Sequence, residues 1–129
     1  MIISEVTSGV EVSVRAMYLP NLSFAAANKY VFAYKIAISN HNSFSVQLLR
    51  RKWIITEGVG DVEVIEGEGV VGVQPTLESG EEYEYQSGAT LQSSLGRMHG
   101  FYFFENKITG KVFKVHIPEF QLEATEILN

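Results

Sequence analysis

The chain has 129 residues, which is enough for one domain with its own core and no covalent staples. Its composition, 46% hydrophobic and 19% charged, is globular; a net charge of −5 argues against nucleic-acid phosphates as a partner. With no cysteine, disulfides, thiolate zinc sites and cysteine nucleophiles are excluded.

Met1 to Glu5 shows no basic segment leading into an apolar run, and no stretch reaches the ~20 apolar residues of a membrane span. The expectation is a cytoplasmic protein without a membrane partner, and a disulfide-free chain fits that compartment. From there the dominant hydrophobic period is two. Val10, Val12 and Val14 alternate with Glu11, Ser13 and Arg15, as in a strand with one buried face. Asn21 to Asn28 has room for one turn of helix at most. Tyr30, Phe32, Tyr34, Ile36 and Ile38 form a long alternating run of central-strand character, closed by a turn at Asn40 to Ser43. Phe44 to Thr56 carries the single tryptophan, Trp53, and Gly58 to Asp61 closes a hairpin. Alternation resumes from Asp61 to Glu66 and runs into a glycine cluster. Tyr83 to Ser87, Gly96 to Glu105 and Val112 to Ile117 complete the series. Asn106 to Gly110 is a hairpin connection, and Pro118 ends or edges the last strand. Seven to nine mostly antiparallel strands with turns every 8–12 residues or so predict an all-β sandwich. The chain reads as a single domain, 1–129, with a core from about 10 to 122 and a loose tail from Ala124 to Asn129.

The cluster Gly67-Glu68-Gly69-Val70-Val71-Gly72 has the form G-x-G-x-x-G. That pattern binds dinucleotides when it opens a helix, whose N-terminal amides hold the pyrophosphate. Here Val73-Gln74-Pro75 and a further strand follow, so the helix is missing. Two readings stay open: Gly67, Gly69 and Gly72 form a phosphate-binding nest of amides, or they shape a bulge and permit tight packing. Glu66 and Glu68 would repel a phosphate unless an arginine or a metal intervened. If Trp53 packs in the core, Arg51 lies on the same side near its edge and needs a counter-charge. An ion pair from Arg51 to Glu66 or Glu68 is therefore predicted.

Other chemistry is thinly marked. Asp61, Glu63, Glu66 and Glu68, and again Glu78, Glu81, Glu82 and Glu84, could offer oxygens to magnesium, yet alternating carboxylates on a strand usually mark its solvated face. His41, His99 and His116 lack metal-ligand spacing, and no serine sits in a nucleophile motif. No catalytic residue and no metal ligand is assigned. Near the end, Met98, Gly100, Tyr102 and Phe104 share one face of a strand, and Phe101 and Phe103 share the other. Only one face of a two-layer sandwich is inside. Phe101 and Phe103 are thus the candidate interaction surface, open to a protein partner, to self-association, or to coverage by a loop or the N-terminal segment.

Taken together, Arg51-Lys52-Trp53-Ile54-Ile55-Thr56, the run Gly67 to Pro75, Tyr83, Tyr85 and Ser87-Gly88, Gly96 to Tyr102, and the closing segment Phe113 to Leu122 resemble the ApaG family, also called the DUF525 domain. The resemblance runs from about Val10 to Leu122. It implies an immunoglobulin or fibronectin type III-like sandwich in a bacterial cytosolic protein with no established catalytic activity. It further implies a link to magnesium and cobalt homeostasis, a domain that serves elsewhere as a protein-interaction module, and a glycine motif discussed as a pyrophosphate site. The expected function is that of a non-enzymatic binding module. The alternatives are a nucleotide or pyrophosphate binder using Gly67 to Gly72 and, further off, a phosphohydrolase.

Overall fold

The computed structural model describes residues 1–125, and the alternating runs become nine strands in two antiparallel sheets. They are β1 (Ile3–Thr7), β2 (Val10–Tyr18), β3 (Tyr30–Asn40), β4 (Val46–Glu57), β5 (Asp61–Glu68), β6 (Thr76–Leu77), β7 (Glu82–Leu91), β8 (Leu95–Asn106) and β9 (Val112–Glu123). One sheet runs β1-β2-β3-β7 and the other β5-β4-β8-β9, with β6 paired to the start of β4. This is the strand order of a fibronectin type III-like sandwich, and all pairings are antiparallel.

The core is built from the inward half of each alternation. Val10, Val12 and Val14 of β2 face Phe32, Ile36 and Ile38 of β3 on one layer. Leu48, Trp53, Met98, Tyr102, Phe104, Val115, Ile117 and Leu122 fill the other. Trp53 sits edge-on to Tyr34 and Phe120, at centroid distances of 5.4 and 5.9 Å. Each such side chain contributes roughly 1.5–3 kcal/mol by leaving water.

Several features differ from the sequence-based expectation. β1 is an added strand: Ser8 and Gly9, both at positive φ, turn it back onto β2, and Ile3 packs against the core. A bulge at Leu49 breaks the β4–β8 register. Uninterrupted alternation would place Leu48 and Arg50 together; the bulge puts Leu48 in the core while Arg50 faces out. Pro118 does not end the last strand but edges the sheet, because β9 is its outer strand. It lies in the register shift between β8 and β9, and β9 continues to Glu123. Of the predicted loose tail, Ala124 is tied in, its N–H donating to the Ser94 carbonyl at 2.8 Å; residues 126–129 lie outside the described residues. Two short 3₁₀ turns, Pro20–Leu22 and Ala25–Ala27, occupy the β2–β3 connection.

Candidate functional site

The glycine cluster is a tight hairpin laid beside β4. The Val70 N–H donates to the Val73 carbonyl at 2.8 Å, and the Val73 N–H returns to Val70 at 3.0 Å. Val71 and Gly72 between them have φ of +47° and +76°, the signs of a type I′ turn. Each glycine has a separate reason. Gly67 lies opposite Arg51, and a Cβ there would come within 2.8 Å of the guanidinium. Gly69, at φ +63°, lets the Val73 carbonyl approach to where a Cβ would sit, 2.3 Å away. Gly72 has open space around it and supplies only the positive φ. The anticipated bulge is thus a turn, and the bulge itself is on β4.

The rest of the segment services that bulge. The Leu49 carbonyl accepts both the Gly69 N–H and the Gln74 side-chain amide, each at 2.9 Å. The Leu48 N–H donates to the Pro75 carbonyl at 3.0 Å, and Val70 is fully buried between the sheets. The amides of Gly69, Val70 and Val73 are therefore spent on backbone carbonyls, which leaves Val71 and Gly72 at the tip for any anion.

Arg51 lies on the inner side of its strand, but the predicted ion pair to Glu66 or Glu68 is not formed. Its Nη1 donates to the carbonyls of Glu68 and Gly69, at 3.0 and 2.9 Å. The reason is register: Arg51 is opposite Gly67, so Glu66 and Glu68 project from the other face. Glu66 instead lies 3.9 Å from Lys52. Below Arg51 the sandwich holds a group of tyrosines that single-sequence reasoning missed. The Tyr85 and Tyr102 hydroxyls are hydrogen-bonded to each other. Burial pushes the Tyr102 hydroxyl well above the usual phenol range, reinforced by Tyr85, and burial likewise raises Tyr85 and Tyr34. The Arg51 charge opposes the rise at all three. Asn40 is a second buried polar residue, donating to the Phe44 and Leu77 carbonyls at 2.8 and 3.0 Å.

Phe101 and Phe103 are on the outer face of β8, opposite in direction to the buried Met98, Tyr102 and Phe104. They are half-covered by cations from adjacent strands. The Arg50 guanidinium lies 4.3 Å from the Phe103 centroid, and Lys114 lies 5.0 and 5.8 Å from Phe101 and Phe103. His116 meets Phe101 edge-on at 5.1 Å, and Glu5 of β1 reaches that histidine at 3.2 Å. The outcome is an aromatic strip bordered by Arg50, Lys52, Lys114 and two histidines, His99 and His116, on a chain of net charge −5. Gly100 makes the strip compact: a Cβ there would lie 2.0 Å from the Lys52 carbonyl, so β4 and β8 could not otherwise lie so close.

Two clefts open elsewhere. One, of about 1160 Å³, runs from Ile3, Val14 and Tyr18 to Phe120 and Glu123; the other, of about 430 Å³, lies among Asn28, Glu57, Asp61 and Ser93. Neither includes the glycine hairpin, Arg51 or the outer aromatics. Among the described residues no group of three or more His, Asp or Glu side chains converges as metal ligands. Among the same residues no helix is long and apolar enough to cross a membrane.

Comparison with known proteins places this geometry. A family model described as DUF525, the ApaG domain, matches residues 20–106. "Protein ApaG" of Proteus mirabilis is 40% identical over 123 residues, covering 95% of this chain and 98% of that one. "Protein ApaG" of Mesorhizobium japonicum is 46% identical over 118 residues, covering 92% and 90%. A crystal structure of an ApaA-named protein from Bordetella pertussis superimposes with a TM-score of 0.84 at 41% identity, over 93% of this chain and 94% of that one.

Proposed function

The chain belongs to the ApaG domain family, and on that premise we propose that it is a non-enzymatic module that binds another protein. The observation that carries the reading is the outer face of the second sheet. Phe101 and Phe103 stand there half-exposed, with Arg50 and Lys114 stacked on them. Aromatic and arginine side chains are enriched where protein surfaces meet. A cation over an exposed ring is worth only about 0.5–1 kcal/mol, so a partner can displace it without disturbing the fold. The link to magnesium and cobalt balance that the family resemblance implies then runs through the bound protein rather than through an ion held by this chain. The cytoplasm is the compartment that accompanies this reading.

The test is capture from a bacterial lysate by immobilised wild type and by Phe101→Asp and Phe103→Asp. A protein held by wild type and lost with either variant, while both variants melt as wild type does, is the expected result. Identical capture by all three refutes the reading.

Two observations favour pyrophosphate binding as the second reading. Among the described residues Arg51 has no carboxylate partner, and the Val71 and Gly72 amides at the hairpin tip make no backbone hydrogen bond. Thermal shift with ATP and dinucleoside polyphosphates, with and without magnesium, tests it; occupancy at 100 times the dissociation constant stabilises by about 2.7 kcal/mol. A rise in melting temperature that Arg51→Leu abolishes would favour it over the protein-binding reading.

A further inference from the structure

β5 is the free edge of the second sheet, paired on one side to β4 along all eight residues without a register break. Its backbone alternates. The Gly69 N–H bonds to Leu49 of β4, so the same parity turns Ile65 and Glu63 toward β4. The N–H and C=O groups of Val62, Val64 and Glu66 therefore point away from the sheet. Such a row is a template for another strand, and proteins usually blunt it with lysine, proline, a bulge or a covering loop. β5 has no lysine, proline or bulge; its only guard is the charge of Asp61, Glu63, Glu66 and Glu68, which repels an acidic strand and attracts a basic one. It exposes Val62, Val64 and Ile65 at 59%, 53% and 40% of their surface.

Charge narrows the occupant. Asp61, Glu63, Glu66 and Glu68 lie on β5 and no cation does. Antiparallel pairing with β5 of a second copy would double the carboxylates on one ladder, between two chains each carrying −5. We propose that β5 accepts an extended segment of another protein by strand addition, one with lysine or arginine at alternate positions and β-branched residues between them. Main-chain bonds to Val62, Val64 and Glu66 hold the segment, and the carboxylate pair on one face of β5, Asp61 with Glu63 or Glu66 with Glu68, selects its basic side chains. The added strand continues the sheet that carries Phe101 and Phe103. It thereby deepens, and rests on, the reading of the chain as a protein-binding module.

The experiment uses the full chain and a labelled, capped seven-residue peptide alternating valine and lysine, followed by fluorescence anisotropy. Replacing the lysines with glutamate should weaken binding at least tenfold. Two N-methylated peptides, one methylated on the valine amides and one on the lysine amides, should differ: one set faces β5 and its methylation abolishes binding, while the other is tolerated. Val64→Pro removes an N–H that no bond within the fold uses, and should weaken binding at least tenfold with an unchanged melting temperature. The methylation arms need no change in the protein, so they decide the matter even if that variant unfolds. No detectable binding of the valine–lysine peptide, or equal tolerance of both methylated peptides, would overturn strand addition. A concentration-dependent dimer of the free protein that Val64→Pro dissolves would name a second copy as the occupant and overturn the proposal too. Peptide binding that persists in Phe101→Asp, alongside unaltered lysate capture, would refute the sheet-face reading alone.

Discussion

Substituting the three glycines of the hairpin one at a time should produce three different costs. At Gly69 an alanine meets two penalties. The positive φ of +63° costs a β-carbon about 1–2 kcal/mol. The new methyl would also lie 2.3 Å from the Val73 carbonyl, a backbone atom that cannot swing aside. Relief requires the turn to open, with loss of the reciprocal Val70–Val73 hydrogen bonds at about 1 kcal/mol each. The sum is about 3 kcal/mol, or roughly 10 °C in a domain of this size. Gly72→Ala faces open space and should cost only the conformational term, about 1 kcal/mol. Gly67→Ala has no positive φ, and its obstacle is the end of the Arg51 side chain, 2.8 Å away. That end can move, so the cost is the loss of the Arg51 hydrogen bonds, offset in part by about 0.5–1 kcal/mol from removing a strand glycine. In an Arg51→Leu background the interaction is already gone, and Gly67→Ala should be neutral or stabilising. Urea denaturation at fixed pH of wild type, the three glycine variants, Arg51→Leu and the Arg51→Leu, Gly67→Ala double variant measures the series. A Gly69→Ala loss under 0.5 kcal/mol, or a Gly72→Ala loss equal to it, would refute the assignment of separate roles.

Val71 holds a β-branched side chain at φ +47°, an unfavourable place for it, so Val71→Asn should create an Asn-Gly type I′ turn and raise stability by about 1 kcal/mol in the same assay. Arg51→Leu should cost about 1–2 kcal/mol, because two partly exposed carbonyls lose a charged donor but regain water; a loss above 4 kcal/mol in urea would point to a buried ion pair instead. The raised tyrosine hydroxyls carry a pH signature. Their folded values lie above the ordinary phenol value of about 10, so their contribution is complete below about pH 10 and is lost as pH rises through the folded values. Urea midpoints should be insensitive to these groups between pH 7 and 9 and fall from about pH 10. Absorbance at 295 nm should show the buried tyrosines ionising only as the protein unfolds, whereas Tyr85→Phe should flatten the fall.

The sheet-level arrangement is legible in the residues alone, because alternation is a property of backbone geometry: Val10, Val12 and Val14, or Met98, Tyr102 and Phe104, reach the core by pointing every second residue the same way. The family, too, was legible, since the segments around Trp53, Gly67 and Gly96 carry their own residue signature. The first strand was not, because Ile3 to Thr7 is short and carries one strongly apolar alternation against an exposed Val6. The tyrosine group was hidden for another reason. Tyr34, Tyr85 and Tyr102 come from three strands of two sheets, and nothing in one sequence says which rings meet across a sandwich.

The sharpest division falls at Arg51. The sequence by itself determined that a cation on the tryptophan face would need a partner, and that glutamates lay near enough to provide one. Only the pairing of β4 with β5 decided which atoms do so. With Arg51 opposite Gly67, period-two alternation sends Glu66 and Glu68 to the far face and leaves two main-chain carbonyls within reach. The glycine between those glutamates is then required by a neighbour's side chain, a relation that depends on register between strands and is absent from either strand alone.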